Sequence, residues 1–292
     1  MENGEGLTYT VAYDGDLLID RSEINMLLTD GTIYGGVQKA PKVTRRTVNQ
    51  TLPAITYKKA QVVDNFNEMT LKYKAYSVVF RAYDEGVAYR FVSHAKAPFC
   101  VESECAEFNF AQDWNAWIPY VRQNEETLVT QYFNSFENVY KYHPVSEYDQ
   151  THLSFTPMMV DAPKGRKIVI AEADLMNYPG MFLYNEDGKT TLKGRFAPVP
   201  KRLEQGGHNE LQMLVPEREN YIAALDGACS FPWRIITVSE NDAQMADNDM
   251  VWKLSTPAEP GADWSWVKPG KVAWDWWNDW NISGVDFVSG VN

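Results

Sequence analysis

The chain has 292 residues, 45% of them apolar, 13% aromatic and 23% charged, with 27 Lys and Arg against 39 Asp and Glu for a net charge of −12. That is enough apolar mass for a sizeable core, yet no run nears the roughly 18 apolar residues of a membrane span, and the opening MENGEGLTYTVAYDG lacks the basic start and apolar stretch of a secretory signal. The acidic balance and the absence of a Lys/Arg block exclude the clustered cations that a phosphate backbone requires, so neither a nucleic-acid partner nor a membrane span is expected.

From Leu7 to about Trp252 the chain reads as short alternating strands broken by turn residues, the pattern of an all-β sandwich. In LTYTVAYDGDLLIDRS two period-2 runs flank Asp14-Gly15, a pair that readily takes the positive φ angles of a tight hairpin. The device recurs in YSVVFRAYDEGVAYRFVS, with Asp84, Glu85 and Gly86 between Val78–Tyr83 and Val87–Val92. Three cysteines, Cys100, Cys105 and Cys229, cannot all pair; free half-buried thiols are expected, with a Cys100–Cys105 bridge as the alternative in an oxidising compartment. The four histidines, His94, His143, His152 and His208, are scattered without a zinc-ligand spacing.

In WIPYVRQNEETLVTQYF the pair Glu125 and Glu126 follows an aromatic segment in a setting whose only other charge is Arg122. Two carboxylates there suit a hard cation such as Ca²⁺, or form an ordinary solvated loop. GRKIVIAEADL is a continuous apolar strand ending in Glu172 and Asp174, rigidly placed carboxylates that either contact a ligand or pair with an arginine such as Arg195. GMFLYNEDGKTTLKGRF is a further hairpin turning at Asn185–Gly188, and Arg195–Arg218, with three prolines and Gly206-Gly207, is a long excursion from the sandwich. FPWRIITVS resumes as strand, and its Trp233-Arg234 unit suits either stacking on a sugar or bracing a carboxylate. A short helix is expected over Asn241–Ala246, capped by Ser239.

After Trp252 the Pro- and Gly-rich KLSTPAEPGADWSWVKPGK marks a boundary, which divides the chain into a sandwich over 1–262 and a tail over 263–292. Six of the ten tryptophans fall between Trp264 and Trp280. In VAWDWWNDW, period-2 alternation puts Trp274, Trp276 and Trp280 on one face and Trp277 on the other. Flat indoles of this kind either fill a core or present apolar faces to a sugar ring.

The ordered succession FRAYDEGVAYRF, WIPYVRQNEE, IAEADLMNYPGMFL, RENYIA at Arg218–Ala223, FPWRI and WVKPGKVAWDWW resembles glycoside hydrolase family 97 over nearly the whole chain, from about Leu7 to Asn292. The resemblance implies an N-terminal β-super-sandwich of the galactose-mutarotase-like type, then a (β/α)8 barrel that bears the catalytic carboxylates, then a small C-terminal β domain. It implies hydrolysis of α-glucosides or α-galactosides within α-linked oligosaccharides, dependence on calcium, and a periplasmic or secreted full-length protein. A barrel takes roughly 250 residues, so 263–292 is expected to hold a linker and only the first barrel strand, with the catalytic barrel missing and the chain inactive alone. By the same resemblance Trp276 and Trp277 match the family's substrate-contacting pair at that strand end, and Glu126, with Glu125 as the runner-up, matches the sandwich's calcium ligand. No catalytic residue is expected within the chain. The competing reading is a stand-alone carbohydrate-binding or structural β-sandwich module.

Overall fold

The computed structural model describes residues 6–37, 41–54, 57–122, 127–259, 261–268 and 270–271. The chain divides into two units, one of Met1–Thr51 with Val63–Thr256 and a smaller one of Leu52–Val62 with Pro257–Asn292. In the second, the described residues after Pro257 form turns, closed by bonds such as Val267 N–H to the Trp264 carbonyl at 3.0 Å.

Two antiparallel sheets build the first unit. One runs in the order Thr8–Tyr13, Asp16–Leu28, Phe99–Phe110, Thr191–Phe196, Met181–Tyr184, Ser154–Phe155, with Ile33–Tyr34 and Ala223–Leu225 added at its flank. The other runs Lys141–Pro144, Asn115–Ile118, Met158–Asp161, Lys167–Ala173, Trp233–Ser239, Gly86–Ser93, Tyr76–Tyr83, Gln61–Lys72, Lys42–Pro53, with Cys229–Ser230 beside Gly86–Ser93. The core lies between them, where Ile19, Ile24, Phe108 and Leu183 from one sheet meet Val78, Phe91, Ile170 and Ile236 from the other.

The hairpins fall where the turn residues put them. Tyr13 pairs with Asp16 across Asp14 (φ 50°) and Gly15 (φ 81°), the two successive positive φ angles whose twist matches that of the flanking strands. Tyr83 pairs with Gly86, so Gly86 opens the second strand instead of closing the turn. Its role is close approach: a Cβ there would sit 2.5 Å from the Ile236 carbonyl oxygen and 2.6 Å from Met250 Sδ. The third hairpin turns at Asn185, whose Oδ1 accepts the Asp187 and Gly188 N–H groups at 3.2 and 2.8 Å. The Arg195–Arg218 excursion is a two-stranded ribbon of its own, Pro200–Gly206 against Gln212–Arg218.

Lys167–Ala173 and Trp233–Ser239 read as continuous apolar runs because both faces are covered. Ile168, Ile170, Ile236 and Val238 face the main core, while Ala171, Ala173, Trp233 and Ile235 pack with Met250 and Leu254 in a second cluster. The expected helix spans Asp242–Ala246, but its cap is Asn241, whose Oδ1 accepts the Gln244 N–H at 3.0 Å. Ser239 ends the preceding strand, and its hydroxyl donates instead to the Asn241 carbonyl at 3.0 Å. A second helix, Met250–Leu254, was not expected from the sequence; it lays Met250 and Leu254, one turn apart, on the sheet. All three cysteines are free. No helix among the described residues is long and apolar enough to cross a membrane.

Candidate functional site

The strand Asn115–Ile118 delivers the chain into the segment expected to carry the metal ligand. Tyr120 is buried at its exit: its Oη accepts the Asp149 N–H at 2.7 Å, lies 3.2 Å from His143 Nε2, and its ring meets Tyr148 edge-on at 4.9 Å. Burial pushes the Tyr120 phenol up to about 12. Val121 N–H donates to the Leu153 carbonyl at 2.9 Å, and Asn138 Nδ2 donates to the Tyr120 carbonyl at 3.0 Å. On the far side Gln131, fully buried, donates through Nε2 to the Thr151 carbonyl and accepts the Leu153 N–H, both at 2.7 Å. Leu128 and Tyr132 pack with Val121, Leu153, Phe155 and Phe182. Both flanks of the segment are thus tied to the same stretch, Asp149–Phe155. Glu125 and Glu126 themselves lie outside the described residues, as do Trp276, Trp277 and the rest of 272–292.

The other two candidate pairs come together. Register places Glu172 opposite Arg234 and Ala173 opposite Trp233. Arg234, with its side chain 1% exposed, grips Glu104 with Nε at 2.8 Å and Nη2 at 2.7 Å, and reaches Glu172 with Nη1 at 2.7 Å. Phe196 lies 4.9 Å from the guanidinium. Burial works against the charge on Arg234, but Glu104 and then Glu172 outweigh it and raise its pKa above the ordinary guanidinium value. Glu172 is raised as well, chiefly by burial, because one cation shared between two carboxylates compensates the second incompletely even with the Met181 N–H at 2.9 Å.

This corrects the expected partner. Glu172 pairs with Arg234 and not Arg195, which sits on another strand and binds Glu186. Glu104 is the residue the sequence reading missed. Its signal is visible in FCVESECAEFNF, where Glu104, Ala106, Phe108 and Phe110 share one alternating face that is buried. A carboxylate on a core face requires a buried partner.

On the opposite face of the sheet Trp233 is sealed at 1% exposure, with Arg90 4.4 Å and Arg81 4.8 Å from its ring. Arg81 binds Glu68 at 2.9 Å, Glu68 binds Arg46, and Arg90 binds Asp174 at 3.2 Å. The Trp233-Arg234 unit is therefore a brace that holds carboxylates across the fold, and its indole is not open to a sugar. A cavity of about 620 Å³ is lined by Tyr9, Met69, Phe80 and Tyr89. Its carboxylate, Glu68, is held by Arg46 and Arg81, so it offers no pair of free carboxylates for acid–base chemistry. Among the described residues there is no group of three or more His, Cys, Asp and Glu side chains that could hold a metal ion.

Comparison with known proteins adds four findings. The family model described as "Glycosyl-hydrolase 97 N-terminal" matches residues 1–257. The chain is 44% identical over 291 residues to a protein of Bacteroides thetaiotaomicron named retaining alpha-galactosidase, covering 99% of this chain and 44% of that protein. It is 25% identical over 275 residues to a probable retaining alpha-galactosidase of Streptomyces bingchenggensis, covering 92% and 37%. Among solved structures, a glycoside hydrolase family 97 enzyme in complex with acarbose, from Pseudoalteromonas sp. strain K8, superposes with a TM-score of 0.75 at 23% identity, over 94% of this chain and 38% of that one. That likeness shows the shared sandwich fold. The chain spans less than half the length of each of these relatives. With the family model covering the chain through residue 257, it belongs to glycoside hydrolase family 97 as that family's N-terminal domain.

Proposed function

We propose that this chain is the N-terminal part of an α-glycosidase that cleaves α-linked galactosides or glucosides in oligosaccharides. The observation that carries this reading is the 44% identity over 291 residues to a protein named retaining alpha-galactosidase. On this reading residues 1–262 are the super-sandwich, and 263–292 are a linker and the first strand of a barrel that supplies the catalytic carboxylates. The hydrolysis is of the retaining type, through two carboxylates about 5 Å apart in that barrel. Trp276 and Trp277 form the wall of a sugar subsite at the strand end, and the full-length protein is periplasmic or secreted.

Glu126 presents its carboxylate to calcium. The anchoring of both flanks supports this assignment, since the chain enters at the buried, hydrogen-bonded Val121 and resumes at Leu128, which packs against Val121 and Leu153. Calcium takes 6–8 oxygen ligands; this chain supplies one, and the barrel supplies the rest. When bound, the ion would supply positive charge able to polarise a substrate oxygen. The sandwich's own residues position: Tyr120, Gln131 and Asn138 fix the described residues on either side of the segment that contains Glu126.

The test is hydrolysis of p-nitrophenyl α-galactoside and α-glucoside by the chain joined to its barrel, with calcium titrated after chelation. Glu126→Gln is expected to raise the calcium needed for half-maximal rate by tenfold or more. An unchanged calcium requirement, with Glu125→Gln also silent, would remove the assignment.

A further inference from the structure

We propose that Asp174 is a latch that fixes the point where the chain leaves the sandwich, with Thr256 as its catch. Asp174 follows the last residue of the strand Lys167–Ala173 and takes φ 59°, the left-handed region that Asp tolerates better than most residues. The turn closes with the Met176 N–H on the Asp174 carbonyl at 2.9 Å. One carboxylate oxygen, Oδ1, accepts both the Thr256 N–H at 2.9 Å and the Thr256 hydroxyl at 2.5 Å. The other, Oδ2, accepts from Arg90 Nη1 at 3.2 Å. Arg90 is itself seated against the sealed Trp233 ring, so the latch is referred back to the rigid middle of the sheet.

The place of the catch is chemically specific. The helix Met250–Leu254 ends at Ser255, and Pro257 carries no N–H. Thr256 therefore offers the last backbone donor before the proline, and a residue preceding proline is already confined to extended backbone. Two donors from one residue, both taken by one carboxylate oxygen, leave that residue little freedom. Whatever follows Thr256 begins from a fixed origin. In the proposed enzyme the stretch that follows leads to the first barrel strand, which makes Asp174 a positioning residue; that purpose rests on the proposed function, whereas the latch itself does not.

Amide hydrogen exchange of the 292-residue chain, read residue by residue by NMR, tests the latch without any activity readout, so its failure and that of the glycosidase reading are separable. Asp174→Gly removes the acceptor while keeping the positive φ strain-free, and Thr256 amide exchange is expected to accelerate on the order of 10- to 100-fold, with Ile170 and Ile235 unchanged. Asp174→Asn keeps a carbonyl acceptor and the same backbone preference, and is expected to retain most of the protection. Thr256→Val, which removes only the hydroxyl donor and cannot disturb the core, is expected to accelerate the amide of residue 256 severalfold. Unchanged exchange at residue 256 in either the Gly or the Val variant overturns the latch. So does an acceleration shared equally by Ile170 and Ile235, which would mark a general loosening.

Discussion

Replacing Arg234 by methionine should expose how the core tolerates two carboxylates. The guanidinium makes three charge-assisted bonds, two to Glu104 and one to Glu172, and the Glu104 side chain is only 2% exposed. An unpaired charge at that depth is not sustained; the group takes up a proton instead. Protonating an ordinary glutamate at pH 7 costs about 1.36 kcal/mol for each of the ~2.7 units separating pH 7 from its usual pKa, or about 3.7 kcal/mol. That agrees with the roughly 3–5 kcal/mol lost when one partner of a buried pair is removed. The sign of the pH dependence follows. Glu172, which burial already raises in the unaltered chain, loses its cation in Arg234→Met and is raised further, so the folded variant holds protons that the unfolded chain releases; that contribution is present at low pH and lost as pH rises. The deficit relative to the unaltered chain should therefore shrink from about 4 kcal/mol at pH 7 to about 1 kcal/mol at pH 5. Urea unfolding of both proteins at the two pH values measures this. A deficit under about 1 kcal/mol at pH 7, or one that does not change with pH, would refute the reasoning.

Gly86→Ala should cost about 3 kcal/mol by the same unfolding assay, because the added Cβ meets the Ile236 carbonyl oxygen at 2.5 Å and the backbone there, at φ 145°, is one that L side chains avoid; a loss under about 1 kcal/mol would contradict it. Gln131→Leu leaves the Leu153 N–H and Thr151 carbonyl without partners and should cost about 2–4 kcal/mol, with faster amide exchange at Val121 as the local sign that the candidate metal segment has lost an anchor. Cys105, whose thiol burial pushes up to about 12, should resist iodoacetamide at pH 8 for as long as the fold persists, and mass spectrometry of the intact and unfolded chain reads the contrast.

The sequence revealed what depends on local pattern. The Asp14-Gly15 and Asn185–Gly188 turns, the alternating strands beside them, and the doubly covered runs at Lys167–Ala173 and Trp233–Ser239 all follow from turn chemistry and hydrophobic periodicity. Pairing across the fold was less legible. Glu172 meets Arg234 through a cross-strand register that no local spacing encodes, and Glu104 arrives from the other sheet, 130 residues before Arg234. The ribbon Pro200–Gly206 with Gln212–Arg218 was hidden for a different reason: it is exposed along most of both strands, so it has no apolar face to print an alternation. Met250–Leu254 is too short for helical periodicity to stand out. Of the Trp233-Arg234 alternatives, the structure selects the brace, since the indole is sealed and the guanidinium is committed to Glu104 and Glu172. Glu126, Trp276 and Trp277 fall outside the described residues, so the metal role proposed for Glu126 and the subsite role proposed for the two tryptophans come from the resemblance to family 97.

The most direct measurement is a paired assay on p-nitrophenyl α-galactoside and α-glucoside, with calcium present, of the 292-residue chain alone and of the same chain continued into the barrel proposed to follow it. The account predicts no hydrolysis above background by the chain alone and clear turnover of at least one substrate by the continued protein. Turnover by the chain alone, or none by either protein, would contradict it.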